Sequence, residues 1–194
     1  RDRYPLMYPF DTKTIVSVNP SYKEVQANDA FTIYIKVDPS LPIAGVQFDL
    51  SFDPSLLTCN NVTLGGLFSG FDYFFNPVTI DNINGTITGV IGLIILDETV
   101  SLGTFIQINF TAKNIDGTSS INLSNVVVGD KNGEALPITI NYGQVTIRTY
   151  PDLDVNMDGE INVLDLITIS QHWMATGTPG WIRADANKDG IINI

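Results

Sequence analysis

Residues 154–165, DVNMDGEINVLD, set oxygen-bearing side chains at a spacing that suits a hard cation. With Asp154 as position 1, Asn156 and Asp158 fall at positions 3 and 5, Gly159 at 6, Glu160 at 7, Asn162 at 9 and Asp165 at 12. A calcium loop takes side-chain oxygens from 1, 3 and 5, a backbone carbonyl from 7, an indirect ligand at 9 and a carboxylate at 12, with glycine at 6 where the chain must turn sharply. The pattern therefore predicts a Ca2+ site. Ile161, at position 8, is the apolar residue expected to pin the loop to a neighbour. A second stretch, DANKDGIINI, sets Asp185, Asn187, Asp189, Gly190, Ile191 and Asn193 at positions 1, 3, 5, 6, 7 and 9. Position 12 would lie beyond Ile194, so the second ligand set is expected to be completed by further chain.

These loops differ from those of EF-hands in what precedes them. Pro151 stands before the first, and Gly177, Pro179 and Gly180 before the second, which leaves no room for an entering helix. Only an exiting helix is predicted, over VLDLITISQHWM at 163–174. At helical spacing Leu164, Ile167 and Gln171 share one stripe, while Val163, Leu166, Ile169 and Trp173 crowd another. His172 and Trp173 read as helix-end packing, since a single histidine makes no metal or catalytic cluster.

The charge balance agrees with a cation site and excludes other partners. Ten Lys and Arg stand against 21 Asp and Glu, a net charge of −11. Such a chain repels a phosphate backbone, so neither nucleic acid nor an anionic lipid surface is expected as a partner. The acids are dense after residue 151. Cys59 is the only cysteine, which rules out an internal disulfide and reads as a small buried hydrophobe. Acceptor sequons for N-glycosylation occur at Asn61, Asn84, Asn109 and Asn122 and point to an exterior protein. No apolar run reaches membrane-spanning length.

Residues 12–148 read as β structure. Strands are predicted at 14–18, 31–37, 43–52, 71–75, 86–95, 104–112, 121–128 and 137–147, which argues for a two-sheet sandwich or jelly roll. In IAGVQFDLSF (43–52), Val46, Phe48, Leu50 and Phe52 fall on one face and Gly45, Gln47, Asp49 and Ser51 on the other. One side packs the core; the polar side is solvated or forms an interface. Pro54 then ends the ladder, and Leu56 and Leu57 close one end of the core. FSGFDYFF is aromatic-rich, but alternation turns some of its rings inward, whereas a carbohydrate platform needs several exposed coplanar rings. No acid lies in a nucleophile or acid/base motif of a glycosidase.

The runs PIAGVQFDLSFDPSLL, VNPSYKEVQANDAFTIYIKV and GTFIQINFTAKNIDGTSSINLSNVVVGDKNGEALPITINYGQVTI resemble a cohesin module across residues 12–148. The resemblance implies a jelly-roll sandwich of roughly nine strands, one sheet of which receives a dockerin. The strand holding Gly45, Gln47 and Asp49 would belong to that sheet. Many type I cohesins have Asn and Asp where this chain has Gly45 and Gln47, so type I specificity does not carry over. The paired half-motifs of residues 152–194 resemble a dockerin with its second helix missing. Dockerin loop positions 10 and 11 help contact the cohesin. Here they are Val163 and Leu164, with Ile194 in the second copy, apolar as in the type II pattern. Residues 149–151 would be a linker. Residues 1–11, with RDRYPLMYPF, resemble the closing segment of β-helix repeats of surface proteins, with a linker remnant as the alternative.

Together these imply a non-catalytic, extracellular or cell-surface assembly protein that uses Ca2+-dependent cohesin–dockerin recognition. The partner would be a dockerin or cohesin of another copy or of another surface protein. A connection of about four residues reaches at most roughly 14 Å, so capture within one chain is strained and a head-to-tail homopolymer is expected. The alternative is a carbohydrate-binding module or a scaffold fragment of a polysaccharide-degrading complex.

Overall fold

The computed structural model describes residues 13–149, 153–178, 182–185 and 190–192. The segment 1–11 and linker residues 150–151 expected from the sequence therefore lie outside the described residues, apart from Thr149. The chain divides into two units, the first ending at Arg148 and the second beginning at Thr149.

The first unit is a β-sandwich. Its strands are β1 (Thr14–Asn19), β2 (Tyr22–Gln26), β3 (Ala30–Asp38), β4 (Gly45–Ser51), β5 (Leu57–Leu64), β6 (Tyr73–Phe75), β7 (Thr79–Asp81), β8 (Thr86–Ile94), β9 (Gly103–Ala112), β10 (Gly117–Gly129), β11 (Ile138–Asn141) and β12 (Gly143–Arg148). One sheet has the order β11-β1-β3-β9-β5; the other runs β2-β12-β10-β4-β8-β6, with β7 also paired to β8. Period-2 alternation fills the space between the sheets. Phe31, Ile33, Ile35 and Val37 of β3 and Val46, Phe48 and Leu50 of β4 are all buried, with half-exposed or exposed residues between them. Phe105 sits at the centre, with ring centroids 5.9 Å from Phe48, 5.5 Å from Phe68 and 6.1 Å from Phe75. Gly92 makes room for these rings: a Cβ there would lie 2.8 Å from Phe105 and 3.0 Å from Phe68. Leu56 and Leu57 are buried at one end of this core, as expected.

The strand pattern departs from the sequence reading in three places. β2, β5 and β7 were not expected. β2 and β5 are sheet edges whose polar residues hide the alternation; in β5 a register shift between Cys59 and Asn61 breaks it further. Asn82 closes part of the β5 edge, its side chain accepting from the Cys59 N–H at 2.7 Å and donating to the Cys59 carbonyl at 3.0 Å. The single strand expected at 137–147 is two strands in different sheets. The chain crosses at Tyr142 and Gly143, where a Cβ would run into Val18. Thirdly, β10 begins at Gly117, four residues before the expected start at Ile121.

The second unit has one helix among the described residues, α1 (Val163–Gln171). It ends three residues before the expected Met174. Among the described residues its buried apolar cluster is Val155, Ala184 and Ile192, with Ile169, Ala175 and Ile182 packed against it.

Candidate functional site

The outer face of the β10-β4-β8-β6 sheet carries the residues singled out from the sequence. β4 is central in it. Register pairs align Val127, Gln47 and Ile91 in one row and Gly129, Gly45, Leu93 and Phe74 in the next. Gln47 is exposed and Gly45 is half-buried. Across these rows runs a shallow groove of about 390 Å3, with Gly45, Gln47, Ile91, Leu93, Leu96 and Val127 in its lining. Leu96 is 99% exposed at a positive φ of 59°, a conformation rare for a branched residue. Asp97, Asp130 and Lys131 also line the groove, and Lys131 pairs with Glu98 at 3.2 Å. The sequence reading found Gly45 and Gln47 but missed Ile91, Leu93, Leu96 and Val127. Asp49 shares the face but is already engaged: its carboxylate accepts from the Gly89 N–H at 3.0 Å and from Asn125 Nδ2 at 2.7 Å.

The aromatic run divides as expected. Phe68 is buried, Phe71 and Phe75 pack against the core, and Tyr73 and Phe74 are exposed. Cys59 is buried, and desolvation pushes its thiol up to about 12, so it stays protonated and unreactive. Of the sequons, Asn61 and Asn109 are register partners on β5 and β9. Asn109 Nδ2 donates to Asn61 Oδ1 at 2.7 Å, and Thr32 donates to Asn109 Oδ1 at 2.7 Å. Asn84 Nδ2 donates to Asp81 at 2.7 Å, and Asn122 is exposed on β10.

In the second unit the first loop closes around two buried carboxylates. Asp154 is fully buried and accepts from the N–H groups of Asp158 at 3.1 Å and Gly159 at 3.0 Å. Asp165, 2% exposed, accepts from the N–H groups of Val155 at 2.7 Å, Asn156 at 3.1 Å and Asn162 at 2.8 Å. Positions 1 and 12 are thereby folded onto one loop. Asp165 is also the third helical residue of α1, and with Asn162, whose side chain accepts from the Leu164 N–H at 2.8 Å, it forms a capping box. The residue that ends the loop thus starts the helix. The Asn162 N–H foremost, and those of Asn156 and Val155, hold the Asp165 carboxyl below its usual range although burial opposes them. The second loop repeats the first turn: Gly190 N–H donates to Asp185 at 3.0 Å, and Gly159 and Gly190 have φ of 91° and 87°.

Donor chemistry fits a hard cation. Asp154, Asn156, Asp158 and Asp165 offer only oxygen side chains or amides, and the two buried carboxylates form no ion pair among the described residues. Among those residues, however, no three His, Cys, Asp or Glu side chains group as a preformed metal cage. The side chains of Glu160 and Asp158 are exposed, and Asn156 Nδ2 donates to Asp158 at 2.8 Å. Asp185 is buried and Ile191 bridges to Thr176, while Asn187, Asp189 and Asn193 lie outside the described residues, as does Ile194.

Two expectations need correction. Ile161 does not pin its loop; it is 58% exposed, and the residue that does so is Ile192, position 8 of the second loop. Ile192 is fully buried, donating to the Ala175 carbonyl at 3.0 Å and accepting from the Met174 N–H at 2.9 Å. Trp173 is 46% exposed rather than packed, and His172 is the exposed C-cap of α1. The outward side of α1 is apolar: Val163, Leu164, Leu166 and Ile167 are all exposed.

The cohesin domain model matches residues 16–147. The chain belongs to the cohesin family. The type I dockerin domain model matches residues 152–194, so the type II likeness of Val163 and Leu164 does not set the class of the module. A curated relative, the cellulose-binding protein A of Clostridium cellulovorans, is 31% identical over 150 residues, which cover 69% of this chain and 8% of that protein. The chain therefore spans a small part of that relative's length. Among solved structures, a type I cohesin–dockerin complex from Clostridium thermocellum superposes with a TM-score of 0.58 at 17% identity, covering 72% of this chain and 96% of that one. A non-cellulosomal cohesin from Archaeoglobus fulgidus does so with 0.57 at 14%, covering 70% and 91%. At these identities the likeness establishes the fold. Among the described residues, no helix is long and apolar enough to cross a membrane.

Proposed function

We propose that this chain is a non-catalytic assembly protein that both receives and supplies a docking module. The groove over Gly45, Gln47, Ile91, Leu93 and Val127 receives the apolar helix of a dockerin, and α1, through Val163, Leu164 and Ile167, docks on a cohesin of another molecule. One observation carries this reading: an open apolar groove on a cohesin sheet and an exposed apolar helix occur on the same chain. Asp154, Asn156, Asp158 and Asp165, with the Glu160 carbonyl and Asn162 through water, would hold Ca2+ in the first loop. Asp185, Asn187, Asp189, the Ile191 carbonyl and Asn193 would hold it in the second. Bound there, the ion offsets the repulsion of the loop carboxylates and so keeps α1 presented.

The partner proposed is a second copy. Receptor and plug on one chain form a heterologous contact, which gives rings if it closes and filaments if it does not. The sequons and the resemblance to surface proteins favour a place outside the cell or on its surface. Sedimentation of the chain in millimolar calcium tests the scheme. Oligomers are expected, and Gln47→Arg should abolish them by burying an unpaired charge at the interface centre, a loss on the order of 3 kcal/mol. Monomers at all concentrations would remove self-assembly, and capture of a different dockerin by the wild-type groove would then assign a foreign partner.

A further inference from the structure

We infer that Asp49 is a positioning residue for docking: its carboxylate clamps β-bulges in both neighbouring strands and thereby decides which apolar residues face the groove. The inference rests on the docking role proposed for that sheet face. β4 itself alternates without interruption, but both its neighbours change parity beside Asp49. In β10 the inward residues are Ile121 and Leu123 before the register shift between Ser124 and Val127, and Val126 and Val128 after it. In β8 the inward residue Ile87 is followed by Val90, Gly92 and Ile94. The shift there lies opposite Asp49, between the partners of Phe48 and Leu50.

Each bulge adds one residue and so turns every later side chain to the other face. Without the two bulges, Val127, Ile91 and Leu93 would point into the core, and Val128, Val90 and Ile94 would point out. The groove is thus a product of two parity changes at one level of the sheet. Asp49 bonds to both. One oxygen takes the N–H of Gly89, whose φ is 73°, and the other takes the side-chain amide of Asn125, whose φ is 53°. Glycine and asparagine are the residues that adopt this conformation most readily. Asn76 completes the arrangement by donating to the Gly89 carbonyl at 3.0 Å, so that both backbone polar groups of the bulge residue are bound by side chains.

The test uses the whole chain in calcium with Asp49→Ala and Asp49→Asn. Amide exchange of Gly89 and attenuation of the Ile91 and Val127 methyl signals by a soluble paramagnetic agent report the clamp directly. Docking is read separately, with a Gln47→Arg copy of the chain as the dockerin donor. In Asp49→Ala, Gly89 exchange should rise at least tenfold, the methyl attenuation should fall and docking should weaken at least tenfold. Asp49→Asn keeps an acceptor for the Gly89 N–H and, with the Asn125 amide turned over so that its oxygen accepts from the new amide, a bond to Asn125; it should restore all three, which a general loss of packing would not. A folded Asp49→Ala protein with unchanged exchange and methyl exposure overturns the clamp. So does unchanged docking once exchange has risen. If Asp49→Ala does not fold, Asn125→Gly keeps the positive φ without the amide and should reduce exposure at Val127 alone; unchanged exposure there overturns the inference. A wild-type chain that docks to no donor refutes the docking role, while exchange and methyl exposure still decide the clamp.

Discussion

The two units solve the problem of holding a chain together in opposite ways. The sandwich encloses Phe48, Phe68, Phe105 and Phe110 with a continuous set of Ile, Leu and Val, and its carboxylates stay outside. Among its described residues the second unit buries Asp154, Asp165 and Asp185 beside an apolar cluster of Val155, Ala184 and Ile192 and a few half-buried neighbours. Apolar burial contributes roughly 25 cal/mol per Å2, and the cluster that the described residues form is small against the entropy of ordering them. Buried carboxylates, by contrast, are costly unless something cationic joins them. Apolar packing accounts for the first unit, whereas the second unit, on the function proposed above, would owe its stability to a bound cation.

Chelation of calcium should have the largest effect, and on the second unit alone. With EGTA, the helical signal of α1 and the protease resistance of residues 152–194 should be lost while the melting transition of the sandwich persists. Asp158→Ala should do the same at calcium concentrations that fold the wild type. A chelated protein with an intact helix would place the two units in one class. The converse is a core truncation. Phe105→Ala removes a ring in contact with three others and should cost the sandwich about 3–5 kcal/mol, read as a lower denaturant midpoint. Calcium binding by the second unit should be unchanged. Loss of calcium affinity in this variant would mean that the units share stability.

How far the sequence showed this differs between the units for a physical reason. The turn at 154–165 is a local code, so the meeting of Asp154 and Asp165 on one loop and the start of the helix at Val163 were legible from spacing alone. The fate of Ile161 was not, because which loop residue is covered depends on the chain at 174–177, which pairs with the second loop. In the sandwich, β3 and β4 were legible because they are central, with one buried and one exposed face. Edge strands β2 and β5 were not, since partners on one side only leave polar residues free to occupy both faces. The row proposed for docking was hidden for a third reason. Ile91, Leu93 and Val127 read as core by alternation, and only the bulges beside Asp49 turn them outward.

Acid should affect the sandwich only weakly. Its lowered carboxyls sit in three turns at the surface. The Ser55 hydroxyl, and then the Ser55 N–H, hold Asp53 below the usual range; the Asn84 side chain and then the Asn84 and Ile83 N–H groups do so for Asp81; the Glu134 N–H leads for Asp130. A carboxyl lowered by folding contributes stability that is fully present above its unfolded value, about 3.9, and is lost as pH falls through the folded value. The melting temperature of the sandwich should therefore be level from neutral pH to about 5 and decline only below about 4. The decline should be shallow, because solvent screens these turns. Asp81→Asn should flatten part of that slope, since the amide keeps an acceptor for the Ile83 N–H but no longer titrates. Calorimetry of the chain in EGTA isolates the effect, since the second unit is expected to be unfolded there. A steep loss below about pH 4, in place of a shallow one, would mean that the sandwich, too, depends on an unscreened buried carboxylate, and the division between a unit held by apolar packing and a unit held by charge would not stand.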